Sequence, residues 1–382
     1  MKQHYLTDLC YFCTHKKRKM TIHIFNPEHD IALAFNRKHL TMPHAAQELR
    51  MNMGWIPAIW ASDVDVVLVD DISFAIKASS RFKDTIADVL FVERADLPDL
   101  MRGIKDVEIQ PWGWDLTLRT QLSEAGVAPD HLPTDRQLQE IRHYSSRVQT
   151  VSMLKKLRSG IEEDTCGMSM FLTSEEMLAD LLQKKEKLVL KAPWSSSGRG
   201  IRYVDGDISP SLAGWYKRIL EVQGGIMVEP YYRKVKDFGM EFVLDGDGNA
   251  SYLGLSLFAT INNAYVGNLL ATEEEKEKII SKYIPLTLLH EVRNRICAEM
   301  PRLVGNCYAG PFGIDMMIVA KEDANGYLLH PCVEINLRRT MGHVSLAVKH
   351  EPTAPNQLMM INHGVNYVLK ISNIDNNYVL TL

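Results

Sequence analysis

The sequence predicts an α/β domain followed by an α+β region, and three observations carry that reading. Through residues 20–115, short apolar strands alternate with helical stretches, the pattern of a parallel sheet with crossover helices. Beyond residue 188 the strands come in pairs joined by the turn clusters Asp245-Gly246-Asp247-Gly248-Asn249 and Asp323-Ala324-Asn325-Gly326, which read as antiparallel hairpins. At 382 residues the chain is too long for one small core and suits two or three packed subdomains. A composition of 46% hydrophobic and 24% charged residues is that of a soluble globular protein. The formal charge of -4 gives no global attraction to nucleic acid or to an anionic membrane. No apolar run reaches the roughly 18 residues of a membrane helix. The start of the chain lacks an apolar stretch with a small-residue cleavage site, and the six cysteines are scattered, as expected of reduced thiols in a cytoplasmic protein.

Taken in order, residues 1–19 read as a disordered leader or a start assigned too early. Cys10 and Cys13 have CxxC spacing with His4 and His15 beside them, but no second cysteine pair completes a zinc site. Thr21–Phe25 is an apolar strand that runs into the loop Asn26-Pro27-Glu28-His29-Asp30, where an α/β sheet commonly places ligands; a structural turn is the alternative. Thr41–Met53 reads as a helix, Val64–Val69 and Val89–Val92 as strands, Leu97–Ile104 as a helix and Val107–Gln110 as a strand. Pro111-Trp112-Gly113-Trp114-Asp115 is a polar-aromatic knot expected to serve packing. A polar helical stretch covers Leu116–Leu157, broken near Pro129–Pro133. Leu188–Ala192 and Ile226–Glu229 are short strands. Asp237–Leu244 pairs with Ala250–Ser256, helices follow over Thr272–Lys282 and Pro285–Met300, and Phe312–Val319 pairs with Tyr327–Ile335.

Three segments carry chemistry. Lys191 ends a strand and opens Ala192-Pro193-Trp194-Ser195-Ser196-Ser197-Gly198-Arg199-Gly200; small residues let backbone N–H groups approach polyphosphate while the ammonium neutralises charge. It is not a Walker A loop, and a surface loop is the plain alternative. Gly225 to Tyr232 is a strand ending in Glu229 and two tyrosines, fit to present backbone and an apolar wall to a flat base, or to be a core strand. Glu334 and Asn336, two apart in a strand, share one face, and the proposed hairpin brings Asp315 onto it. Two carboxylates and an amide oxygen are hard ligands suited to Mg²⁺. Ile314, Met316, Val333 and Ile335 alternate around them, setting these polar groups beside a core.

In this order the segments resemble the ATP-grasp superfamily over about Ser145 to Asn362. The most specific stretch is Glu334-Ile335-Asn336 with Arg338 and Arg339. The resemblance implies a Rossmann-like pre-ATP-grasp domain (20–115), a helical linker (116–144), a two-subdomain ATP-grasp fold (145–370, lid about 165–232) and a tail (371–382). It implies ATP with Mg²⁺ (or Mn²⁺): Lys191 on the α- and β-phosphates, Ser195, Ser196, Ser197, Gly198 and Gly200 in the flap, and Glu229, Tyr231 and Tyr232 in the adenine hinge. Asp237 is similar in position to the ribose ligand, with Glu241 as its rival, and Asp315, Glu334 and Asn336 look like the metal ligands. Arg147 stands where the family usually has a lysine, and Pro230 removes one hinge N–H. The implied reaction joins a small-molecule or peptide carboxylate to an amine (or thiol) through an acyl phosphate, with Lys191 and either Arg338 or Arg339 catalytic and His343 a candidate base. A homodimer is compatible with the resemblance. Rival readings are a phosphotransferase on another acceptor and a non-catalytic ATP-binding module.

Overall fold

The computed structural model describes residues 19–103, 106–182, 187–195, 200–206, 208–261, 264–322, 325–351 and 353–374. The leader with Cys10 and Cys13, residues 196–199 of the expected flap and most of the expected tail lie outside them.

The first layer is built from β1 (Met20–Ile24), α1 (His29–Phe35), α2 (His44–Met53), β2 (Val66–Leu68), α3 (Ile72–Ser79), β3 (Leu90–Val92), α4 (Leu97–Gly103) and β4 (Val107–Pro111). Its four strands are parallel in the order β3-β2-β1-β4. Both faces are covered, as a parallel sheet requires. Met20, Ile22 and Ile24 pack with Leu97 and Leu100 on one side. Val67 and Val69 pack on the other with Met53 and Trp55, and this second cluster also takes in Val344, Met359 and Leu369 from the far end of the chain. The first domain therefore shares a core with the last one.

Two expectations change here. The stretch Asn26–Asp30 is not wholly loop, because α1 begins at His29. The 116–144 stretch is not a free linker. Leu118 and Leu122 of α5 (Leu116–Glu124) are buried in the first core, and Asp115 Oδ1 caps the helix by accepting from Leu118 N at 2.8 Å. Ile141 of α6 (Asp135–Tyr144) joins Met153, Leu154 and Leu157 of α7 (Gln149–Arg158) in the core of the largest sheet.

A small antiparallel sheet follows, from β5 (Met170–Leu172), α8 (Glu175–Leu182), β6 (Leu188–Lys191), β7 (Ile201–Val204), α9 (Pro210–Gln223) and β8 (Ile226–Pro230), ordered β5-β8-β6-β7. Its own core holds Leu178, Leu188, Leu190, Tyr216, Ile226 and Val228. Ser209 caps α9 with Pro210 in its first turn, and Gly224 ends it at φ 79°, a left-handed turn that glycine adopts without steric cost.

The third unit is a seven-stranded antiparallel sheet ordered β13-β12-β9-β10-β11-β14-β15. It comprises β9 (Lys234–Leu244), β10 (Ala250–Ile261), β11 (Ala264–Leu270), α10 (Glu273–Ile280), α11 (Leu286–Val304), β12 (Gly310–Ala320), β13 (Tyr327–Asn336), α12 (Met341–Ala347), β14 (Gln357–His363) and β15 (Tyr367–Asn373). The 245–249 hairpin turns on Asp245, whose Oδ1 accepts from Asp247 N and Asn249 N at 2.9 and 2.8 Å. Phe238, Phe242 and Phe312 are fully buried beneath α11, each contributing roughly 1.5–3 kcal/mol of apolar burial. β15 runs to Asn373 and so crosses the boundary expected at residue 370. Cys166, Cys297, Cys307 and Cys332 are free thiols. No helix among the described residues is long and apolar enough to cross a membrane.

Candidate active site

A cleft of about 840 Å³ opens between the small sheet and the large one, and strand register decides what faces it. On the small sheet, Val189 lies opposite both Tyr203 and Glu229, while Lys191 lies opposite Ile201 and Met227. Alternation sends Val189 and Lys191 to the same side, where both line the cleft with Ile201, Tyr203 and Glu229. Lys191 Nζ donates to Glu229 Oε2 at 2.5 Å, with both side chains buried. Ser169 Oγ donates to the other carboxylate oxygen at 3.3 Å. Glu229 was expected to serve through its backbone, and its side chain instead neutralises the lysine.

The hinge is narrower than its sequence suggests. Pro230 has no N–H, and Tyr231 N donates to Lys187 O at 2.9 Å, so neither amide is available to a base. Tyr231 is half exposed and meets Tyr203 edge to face at 5.9 Å. Burial pushes the Tyr232 hydroxyl up to about 12, and its ring lines the cleft wall.

On the large sheet the expected metal residues converge. Asp315 stands directly opposite Glu334, and Gly313 opposite Asn336. The next strand continues both rows, with Gly239 opposite Asp315 and Glu241 opposite Gly313. Two carboxylates and an amide oxygen thus share one patch of sheet, and Glu241 lies diagonally beyond them. Burial, then the charges of Glu334 and Glu241, push the Asp315 carboxyl up to about 8. Carboxylates crowded closely enough to raise one another fit a divalent cation, which would relieve the repulsion. Among the described residues no three His, Cys, Asp or Glu side chains gather for a metal, so Asn336 would be the third protein ligand.

Arg147 reaches this patch from the loop before α7. Its guanidinium donates to Ala192 O (2.8 Å), Ser195 Oγ (2.7 Å), Ser195 O (3.0 Å) and Glu334 Oε2 (2.7 Å). A lysine at this position could not make four directed contacts at once. Gly200 closes the loop, since a Cβ there would lie 2.1 Å from Ser195 Oγ. Ser196, Ser197 and Gly198 of the expected flap lie outside the described residues.

The two candidate ribose ligands separate along β9. Asp237 lies near the hinge and accepts from Lys234 Nζ at 2.5 Å. Glu241, four residues on and about 13 Å away along the strand, is buried deep in the cleft. A Cβ at Gly313 would come within 2.6 Å of its Oε2, and one at Gly342 within 1.9 Å of its Oε1. Gly313 and Gly239 within strands, and Gly342 in the first turn of α12, mark close approach to Glu241 and could have flagged it from sequence. Beyond it, Asn268 Nδ2 donates to Ser256 Oγ at 2.7 Å and Tyr265 donates to Asn268 Oδ1, forming a polar end wall that sequence reasoning missed.

The two arginines also part ways. Arg338 lines the cleft and grips Asp30 with Nε (3.1 Å) and Nη2 (2.8 Å), holding the Asp30 carboxyl below its usual range. Arg339 faces the first domain, with its guanidinium 4.4 Å above the Trp60 ring; burial lowers it to about 10. It is not among the residues lining the cleft. His343 is buried in structural bonds: Nε2 donates to Phe242 O at 3.0 Å, and Nδ1 accepts from Thr340 N at 3.1 Å. Glu241 Oε2 lies 3.0 Å from that Nδ1.

No family model matches the chain, and no curated protein matches it by sequence. Solved structures to which it is similar include an N5-carboxyaminoimidazole synthetase from Staphylococcus aureus complexed with ADP: 12% identity, 91% of this chain and 83% of that one, TM-score 0.45. A biotin carboxylase from Campylobacter jejuni, complexed with β-γ-ATP, shares 12% identity over 91% of this chain and 76% of its own, TM-score 0.49. A protein referred to the ATP-grasp superfamily, from Archaeoglobus fulgidus, shares 12% identity over 93% of this chain and 100% of its own, TM-score 0.43.

Proposed function

We propose that the chain is an ATP-grasp ligase that joins a carboxylate to an amine through an acyl phosphate, releasing ADP and phosphate. The observation that carries this reading is the facing of Asp315, Glu334 and Asn336 on the large sheet with Lys191 and Arg147 across one cleft. Cations opposite a hard-oxygen patch are what a metal-bound polyphosphate needs.

In this reading the adenine lies between Val189, Ile201, Tyr203 and Tyr231, beside the hinge. Lys191 and Arg147 neutralise the phosphates, exchanging Glu229 and Glu334 for phosphate oxygens. A magnesium ion held by Asp315, Glu334 and Asn336 would supply Lewis-acid stabilisation of the transferring phosphoryl group. Arg338, fixed by Asp30, is placed to hold the carboxylate as it attacks and the oxyanion that forms afterwards. Arg339, stacked on Trp60, is assigned to packing between domains.

The test is ATP turnover against a panel of amino acids, short peptides and small dicarboxylates, with hydroxylamine as the common nucleophile. A ligase gives ADP, phosphate and a hydroxamate only with an accepted carboxylate. A phosphorylated product stable to hydroxylamine would establish a phosphotransferase instead, and ADP·Mg binding without turnover on any acceptor would establish a binding module.

A further inference from the structure

Ligation as proposed above has a further requirement. An amine is protonated at neutral pH and has no lone pair to attack with until something takes a proton from it. His343 cannot, since both its ring nitrogens are engaged.

The first domain offers a second histidine. His29 opens α1, and its Nδ1 lies 3.2 Å from Asp115 Oδ2. A carboxylate accepts, so Nδ1 carries the proton and Nε2 presents its lone pair. Asn26 fixes the carboxylate from the other side, donating from Nδ2 to the same Oδ2 at 3.2 Å and to Gly113 O at 2.8 Å. The ring lies flat against Gly113, where a Cβ would come within 2.6 Å of Nε2. That nitrogen has no hydrogen-bond partner among the described residues, although the side chain is only 1% exposed. A buried imidazole nitrogen left bare is uncommon and calls for a reason.

The reason is next to it. A cavity of about 10 Å³, room for one water, is lined by His29, Asp30, Ser195, Glu334, Asn336 and Arg338. Glu334, Asn336 and Arg338 also line the main cleft, so the cavity adjoins its metal-binding end. The charged groups around the imidazole are Asp115, Asp30 with its partner Arg338, and Glu334 across the cavity.

We infer that the Asp115–His29 dyad is the base of the transfer step, reached through this one-water cavity. One proton of the ammonium passes through the water to His29 Nε2 and frees the nitrogen lone pair. The nitrogen then bonds to the acyl carbon, the carbon–oxygen bond to phosphate breaks with its electron pair leaving on phosphate, and the second proton from nitrogen goes to the departing phosphate. This rests on the ligase reading.

Two measurements test it. The first needs no substrate: long-range ¹H–¹⁵N spectra of histidine-labelled protein with ADP·Mg, with the His29 signals assigned by loss in His29→Gln. The expected state at pH 7–8 is Nδ1 protonated and Nε2 bare; Nε2 protonated throughout would end the proposal. The second uses a carboxylate that gives a hydroxamate with the wild type, comparing hydroxylamine, unprotonated at neutral pH, with ammonium chloride. His29→Gln should keep hydroxamate formation within about threefold and lose ammonia transfer by about a hundredfold or more. Equal losses with both nucleophiles would make His29 merely structural. Failure of the ligase reading shows separately, as no hydroxamate from the wild type itself.

Discussion

Asp315 carries a cost that its own replacement should expose. Its carboxyl is raised from 3.8 to about 8 by burial and by Glu334 and Glu241. A carboxyl raised on folding destabilises the native state progressively as pH climbs from the unfolded value toward the folded one. Between pH 5 and pH 9 about three units of that shift fall due, at about 1.4 kcal/mol each, giving about 4 kcal/mol. Asp315→Asn keeps the shape and removes the charge. With EDTA present, its urea stability relative to wild type should therefore rise by several kcal/mol from pH 5 to pH 9, while ADP·Mg affinity falls and metal-dependent turnover is lost. A difference between the two proteins that stays flat with pH would refute the electrostatic reasoning, and intact turnover would remove Asp315 from the metal site.

Further outcomes follow from neighbouring contacts. Arg147→Lys should weaken ADP·Mg binding by about tenfold in calorimetry and Arg147→Ala by more, because the fork that joins Ser195 to Glu334 is lost. Lys191→Met should cost about 3–5 kcal/mol in urea unfolding by leaving Glu229 buried and unpaired, and Lys191→Met with Glu229→Gln should recover most of it. Gly342→Ala drives a methyl into Glu241 and should cost about 1–3 kcal/mol together with turnover, read by denaturation and ATP consumption. Arg339→Lys should lower stability through the lost stacking on Trp60 yet leave ADP·Mg affinity within about twofold.

How much of this was legible in the sequence depended on where the determining contacts lie. The pairing of Asp315 with Glu334 follows from strand periodicity and a turn cluster, both local, and the structure places them opposite each other. The parallel first sheet was legible for the same reason. β14 and β15 were not, because what buries Leu358, Met359 and Leu369 is the pairing of β14 with β11 and β15 and the packing on the first domain, contacts distant in the chain. The helix at 116–124 looked like a linker because only Leu118 and Leu122 face a core that the sequence cannot assemble. Arg338 and Arg339 were indistinguishable as neighbours; their separation rests on Asp30 and Trp60, about three hundred residues away in the chain. Asp115 was read as part of a packing knot, which it is, and only its distance to His29 gives it another role.

The ion pairs of the cleft share one logic. Lys191 holds Glu229, Arg147 holds Glu334, and Arg338 holds Asp30, so each cation expected to meet phosphate or carboxylate is already matched by a carboxylate. An unpaired buried charge would cost several kcal/mol, and these pairings hold the side chains in place before any ligand arrives. In the proposed ligase, nucleotide would then enter by exchange rather than by simple addition. A phosphate oxygen would take over from a carboxylate, and the Glu334 so released stands beside Asp315, where the proposed divalent cation would sit. Metal and nucleotide should therefore bind cooperatively: the metal draws Glu334 from Arg147, and Arg147 is freed for phosphate. Arg338 differs from the other two, because its partner Asp30 belongs to the first domain and sits next to His29 in α1. Through that pair, the element that would hold the acceptor carboxylate is tied to the element that would take the proton of the amine.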